Sequence, residues 1–145
     1  MGTVLDTTVF IDLERALSSR PGDTMAEIAS RLESELGAGE EVGMAAITAS
    51  ELLHGVHRAS PRHRGRREAF VEAVIAAFPP LNFDLICARA HARLWAELVS
   101  AGKNVGAHDR LVAATAIAIG WRVGTANLRH FESITGLDVL EVRLS

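Results

Sequence analysis

The segment Thr3-Val-Leu-Asp-Thr-Thr-Val-Phe10 places an apolar run, a carboxylate and the start of an apolar repeat in direct succession. Its first residues read as a short buried strand, because the run is apolar on both sides until Asp6. Thr7 and Thr8 suit a helix N-terminus, and Val9, Phe10, Leu13 and Leu17 follow at helical spacing. The same alternation repeats outward along the chain. Pro21-Gly-Asp-Thr24 is a turn with a cap, and Met25, Ile28, Leu32 and Leu36 mark a helix that Gly37-Ala-Gly39 stops. Val42-Gly-Met-Ala45 is a second strand, after which Thr48 or Ser50 opens a helix carrying Leu52, Leu53 and Val56. A basic loop leads to a helix through Phe70, Val74 and Phe78 that ends at Pro79-Pro80. Leu81-Asn-Phe83 is a short strand. Asp84 to Ala101 is a long helix with Ile86, Ala90, Leu94 and Leu98 on one face. Leu111 to Ile119 is apolar on nearly every side, the mark of a helix buried in the centre of a domain. Trp121-Arg-Val-Gly-Thr125 and Val139-Leu-Glu-Val142 complete the strands. Strands alternating with helices predict an α/β fold with a central parallel sheet and helices on both faces.

Composition bounds what such a sheet serves. The 145 residues suit one domain, taken as residues 1–145, and 48% of them are hydrophobic against 23% charged. That balance builds a core and excludes a disordered tail. A single cysteine, Cys87, excludes an internal disulfide framework and a four-cysteine zinc site. The N-terminus lacks a basic region followed by an apolar stretch, and no apolar run approaches the roughly 20 residues that span a bilayer. The expectation is a cytoplasmic protein with no membrane association.

Charge is unevenly spread. Arg58, Arg62, Arg64, Arg66 and Arg67 fall within ten residues, and without these five the formal charge would drop from −3 to −8. An acidic body with one basic strip attracts a polyanion locally, and Arg62, Arg64, Arg66 and Arg67 are therefore candidate substrate-binding residues. A solvated loop is the other reading of the same strip. No tyrosine and only 5% aromatic residues argue against base stacking as the main binding mode.

In sheets of this kind ligands sit beyond the carboxyl ends of the strands. Four polar residues fall there or at helix starts: Asp6, Glu51, Asp109 and Asn127. Asp6 and Asp109 also suit helix caps, Glu51 a solvated helix position and Asn127 a turn. Their neighbours weigh against that. Asp6 follows Val4-Leu5, Glu51 precedes Leu52-Leu53, and Asp109 precedes Leu111-Val-Ala-Ala114, with only Arg110 close by in sequence. Carboxylates inside apolar elements are costly unless neutralised, and a hard divalent cation does this with oxygen ligands. His54 and His57 share a helical face, but no acid or cysteine completes a zinc set there. Ser50 and Thr125 adjoin the acids and suit either a cap or the orientation of a carboxylate.

At these residues the sequence resembles the PIN-domain family, and within it the VapC-type toxin ribonucleases. The resemblance rests on Leu5-Asp-Thr-Thr-Val9, Thr48-Ala-Ser-Glu-Leu-Leu-His-Gly55, His108-Asp-Arg-Leu-Val-Ala-Ala-Thr-Ala116, Thr125-Ala-Asn-Leu-Arg-His-Phe131 and Ile134-Thr-Gly-Leu137. It implies a compact α/β fold with a parallel sheet and an acidic pocket that binds Mg²⁺ or Mn²⁺. It also implies endonucleolytic cleavage of an RNA substrate, a homodimer, and a cognate small DNA-binding antitoxin that blocks the pocket. Asp6, Glu51 and Asp109 match the family's acidic positions. The fourth position, commonly aspartate, is Asn127 here. Asp6 and Asp109 are then the expected metal ligands, and Glu51 the residue that holds a water or accepts its proton. Asn127 offers a neutral carbonyl oxygen to metal or water and an amide donor to phosphate.

Other classes meet specific obstacles. An aspartyl phosphotransferase would want a second acid two residues beyond Asp6, where Thr8 stands. A receiver domain would want a lysine near the end of a late strand, and the only lysine, Lys103, precedes Asp109. Neither a glycine-rich phosphate loop nor a G-x-S-x-G elbow occurs. The alternative from another class is a PIN-like module that binds RNA or protein without cutting, for which Asn127 speaks.

Overall fold

The computed structural model describes all residues except Arg20, Pro21, Asp23 and Ser145. In chain order the elements are β1 (Gly2–Leu5), α1 (Thr7–Ser19), α2 (Met25–Leu36), β2 (Glu41–Ala45), α3 (Ala46–Arg58) and α4 (Pro61–Ala77). They continue with β3 (Pro80–Leu81), α5 (Leu85–Ser100), α6 (Ala107–Ile119), β4 (Arg122–Thr125), a 3₁₀ turn (Leu128–His130) and β5 (Val139–Glu141). The strands form one sheet in the order β3-β2-β1-β4-β5, and each neighbouring pair is parallel. Parallel neighbours require crossovers, which the helices supply.

Strand alternation sorts side chains onto two faces. Leu5 and Met44 enter a layer with Phe10 and Leu13 of α1, Ile28 and Leu32 of α2, and Val74 of α4. Their neighbours Val4 and Ala45 enter the opposite layer with Leu94 and Leu98 of α5, Val112, Ala113 and Ala116 of α6, and Val123. The predicted parallel sheet with helices on both faces is therefore present. Gly124 of β4 lets the first layer close, since a Cβ there would lie 2.8 Å from Leu5 Cδ2 and 3.0 Å from Thr3 Cγ2. Arg122 ties the sheet to α2, with Nε donating to Thr3 Oγ1 at 3.0 Å and Nη2 to the Leu36 carbonyl at 2.8 Å.

Several sequence expectations need correction. The arginine strip is helical: Pro61 opens α4, and Arg62, Arg64, Arg66 and Arg67 occupy its first turns. Proline pre-sets the first helical φ and arginine is a good helix former, but no apolar periodicity marks these exposed turns. Helix α3 begins at Ala46 straight out of β2, so neither Thr48 nor Ser50 caps it. Thr48 instead lies buried within its first turn, and its hydroxyl has no hydrogen-bond partner among the described residues. On α5 the inward face uses Cys87 with Leu94 and Leu98, while Ile86 is 62% exposed. Strand β3 is confined to Pro80 and Leu81 rather than Leu81 to Phe83. The turn at Pro21–Thr24 lies partly outside the described residues, but Thr24 does cap α2, reciprocally with Glu27. No helix among the described residues is long and apolar enough to cross a membrane.

Candidate active site

From β1 the strands run outward one way through β2 and β3 and the other way through β4 and β5. The crevice between β1 and β4 is thus the switch point where parallel α/β sheets place their ligands. Asp6 stands directly after β1, Thr125 ends β4, and Asp109 lies in the first turn of α6.

Asp6 is 2% exposed. Its Oδ1 accepts the Thr8 amide at 3.2 Å and the Thr8 hydroxyl, and its Oδ2 accepts the Thr125 hydroxyl at 2.8 Å. The carboxylate therefore holds the start of α1, the cap reading that the sequence offered for Asp6 beside Thr7 and Thr8. The two hydroxyls are anchored in turn by the loop after β4. Ala126 donates its amide to Thr8 Oγ1 at 2.9 Å, and Asn127 donates its amide to Thr125 Oγ1 at 3.0 Å. Glu51 reaches the same region from α3, where its Oε1 accepts the Thr7 hydroxyl at 2.8 Å.

Charge in the crevice is poorly compensated. Burial raises the pKa of Asp6; the bonds from Thr8 and Thr125 lower it, and the charge of Asp109 raises it again. Burial likewise raises the pKa of Asp109, where His130 and His108 pull down and Glu51 pushes up. Arg110, the cation next to Asp109 in sequence, is engaged elsewhere. It donates to the Val105 carbonyl at 2.7 Å and lies 5.0 Å from the centre of the Trp95 ring. What approaches instead is histidine: His130 Nδ1 lies 3.6 Å from Asp109 Oδ2, and His108 Nδ1 lies 3.4 Å from Glu51 Oε2. Asp6, Asp109 and His130 each offer one ligand atom, and the three atoms lie within 4.8 Å of one another. Two carboxylates that resist ionising together, joined by an imidazole, fit a divalent cation in both charge and donor type.

Of the residues singled out in the sequence, Asp6, Glu51, Asp109 and Thr125 come together, and Ser50 does not: it is exposed on α3. Asn127 adjoins the crevice without turning its side chain to either aspartate. Its Oδ1 accepts the Arg129 amide at 3.2 Å, and its Nδ2 lies 3.0 Å from His130 Nε2. The arginine strip on α4 does not reach the aspartates, although Arg67 lines a cleft shared with Thr7 and Glu51. Arg67 pairs with Glu14 at 3.2 Å and Arg64 folds back onto the Ala59 carbonyl at 2.9 Å, while Arg62 and Arg66 have no such partner among the described residues. The sequence alone gives His130, His108, Thr7 and Thr8 no part in the site. The signal for His130 is its place three residues after Asn127 in the segment that follows β4.

The PIN domain pattern matches residues 3–137 of the chain. The chain belongs to the PIN-domain family. Among its PIN relatives, Ribonuclease VapC1 of Rickettsia felis is 33% identical over 143 residues, spanning 98% of this chain and 97% of that one. Ribonuclease VapC4 of Mycobacterium tuberculosis is 32% identical over 137 residues, 94% of each chain. The crystal structure of DNA-bound VapBC from Salmonella typhimurium superposes with a TM-score of 0.79 at 27% identity, covering 97% of this chain and 98% of that one. The match to the PIN pattern takes in every crevice residue named above, from Asp6 to His130.

Proposed function

We propose that this PIN domain is a metal-dependent endoribonuclease using Mg²⁺ or Mn²⁺, and that it is the cytoplasmic toxin of a toxin–antitoxin pair. The observation that carries the reading is the convergence of Asp6 and Asp109, both with raised pKa, at a switch-point crevice that no arginine or lysine among the described residues neutralises. Asp6 and Asp109 would hold the cation. Bound there, it would supply charge neutralisation for a phosphate and acidity for a water. Glu51, steadied by Thr7, stands at the rim with an oxygen beside His108, where it can take the proton of the attacking water. Thr8 and Thr125 fix the Asp6 carboxylate so that little reorganisation is needed during reaction. Asn127 acts at one remove, on His130.

Surface shape supports a polyanionic substrate. An open groove of about 1100 Å³ between α1, α2 and α4 is lined by His63, Arg66 and Arg67 with Leu17 and Phe70. A small cleft of about 120 Å³ shares Glu14, Arg67 and Phe70 with it and extends to Thr7 and Glu51. The arginine strip of α4 thus borders a path to the crevice. The partners we expect are an RNA substrate, a second copy of the chain, and a small DNA-binding antitoxin.

The test uses the full chain purified free of antitoxin and a labelled RNA pool. Cleavage should require added Mg²⁺ or Mn²⁺, vanish with a chelator, and fall by at least about 100-fold in Asp6→Asn. RNA that is bound but left intact at every metal concentration would instead establish a binding module.

A further inference from the structure

We propose that His130 is a third ligand of the metal site and that Asn127 is its positioning residue, so that a nitrogen replaces the expected fourth carboxylate. The inference rests on the nuclease reading and specifies the ion-binding chemistry of the same crevice.

Three observations carry it. First, the histidine and carboxylate ligand atoms that gather within 4.8 Å belong to Asp6, Asp109 and His130, and Glu51 is not among them. Second, the side chain of Asn127 is spent on its own turn and on the imidazole. Its Oδ1 caps the 3₁₀ turn at the Arg129 amide, and its Nδ2 meets His130 Nε2 at 3.0 Å. In a 3₁₀ turn, residues three apart lie over one another, which is how positions 127 and 130 come to face. Third, Arg110 turns away to Val105 and Trp95, and among the described residues it is His130 that approaches Asp109.

The hydrogen-bond chemistry makes the role of Asn127 specific. An amide nitrogen only donates, so His130 Nε2 accepts, and in the neutral ring the proton sits on Nδ1, facing Asp109. An Nδ1 that binds metal must give up that proton, leaving the ring N–H on Nε2 in need of an acceptor. A half-turn of the Asn127 amide brings Oδ1 to that position, at the expense of the bond to the Arg129 amide. Asn127 is thus suited to serve both states of the ring, as a donor without metal and as an acceptor with it. A ligating imidazole whose far nitrogen is held in this way is the usual second-sphere arrangement of protein metal sites. A donor set of two carboxylates and one imidazole also shifts preference from Mg²⁺ toward Mn²⁺ and Co²⁺.

The test loads the full chain with Mn²⁺ and records nitrogen hyperfine coupling by pulsed electron paramagnetic resonance. Wild type and His108→Ala should show coupling to a ¹⁴N nucleus, and His130→Ala should lose it while still binding Mn²⁺. In calorimetric titration His130→Ala should weaken Co²⁺ binding by about tenfold or more and Mg²⁺ binding much less. Asn127→Asp should strengthen Mn²⁺ binding in the wild-type background but not in His130→Ala, because its effect is routed through the ring. Bound Mn²⁺ without nitrogen coupling in wild type would overturn this inference and leave the nuclease reading standing. An equal gain from Asn127→Asp in both backgrounds would overturn the role given to Asn127. Failure of the wild-type chain to bind Mn²⁺ at all would overturn both readings.

Discussion

Asp109 has both carboxylate and imidazole neighbours, and its pKa is raised chiefly by burial. The sign of the effect on stability follows. A carboxyl whose folded pKa lies above its unfolded value of about 3.8 stabilises the fold while protonated, and this contribution is lost as pH rises through the folded value. Asp109→Asn removes that loss. With chelator present, the variant should match wild type at the acid end and gain in relative melting temperature as pH climbs through that window, levelling off above the folded value. Cleavage should fall by at least about 100-fold. A melting difference that stays flat from acid to neutral pH would show that burial imposes no charge penalty at this position. Asp6 is a less clean probe. Asparagine would leave one oxygen where Thr8 and Thr125 donate to two.

Secondary-structure elements carry two further predictions and show where sequence legibility stopped. On α4, Arg62 and Arg66 are one helical turn apart and have no partner among the described residues, whereas Arg67 is held by Glu14 and Arg64 by Ala59. Replacing Arg62 and Arg66 with alanine should therefore flatten the salt dependence of RNA binding by roughly 0.7 in log–log slope for each phosphate no longer neutralised. Filter binding between low and moderate salt reads this directly, and an unchanged slope would return the strip to a solvated helix face. On β4, Gly124→Ala sets a methyl against Leu5 and Thr3 at 3.0 Å or less, in the middle of the sheet. Overpacking of this kind costs about 1–3 kcal/mol, which denaturant melts would register as a lower midpoint at unchanged slope.

The apolar repeats of α1 and α2 were readable because they bury a stripe, α6 because Val112 to Ala116 are buried in succession, and strands β1, β2 and β4 because Val4, Met44 and Val123 are wholly enclosed. What the sequence hid has a common cause. The early turns of α4 bury nothing, so their helix leaves no period; α3 starts without a loop, so there is no cap to find. In the site, Asp6, Glu51 and Asp109 stood out as acids among apolar neighbours. His130 did not, because its significance lies in a fold that brings the segment after β4 against α6.

On the scale of the whole molecule, one surface is left apolar. Leu85, Trp95 and Val99 of α5 are 64%, 50% and 69% exposed, and helical geometry aligns them with the small residues Ala88, Ala92 and Ala96. A stripe of this kind marks an interaction surface more often than a solvated one. If the proposed homodimer uses it, Leu85→Glu with Val99→Glu should convert dimer to monomer in sedimentation equilibrium, with no loss of helicity. A dimer of unchanged mass would place the subunit contact on another face.

The central position of β1 has a consequence in time. It is the first strand made, yet its neighbour β4 and the hydroxyl that fixes Asp6 come late: Thr125 lies 119 positions further along. Asp109, His130 and the loop that anchors Thr8 also belong to the last third of the chain. A ribosome adding about 5–20 residues per second needs several seconds to cover that distance. For most of that interval the nascent chain carries Asp6, joined part-way by Glu51, but no crevice. Translation stopped before α6 leaves a fragment with two of the three acids and without the Thr125 hydroxyl that completes the hold on Asp6. The order of the elements thus delays assembly of the crevice, and any chemistry that needs both aspartates, until β4 has been made.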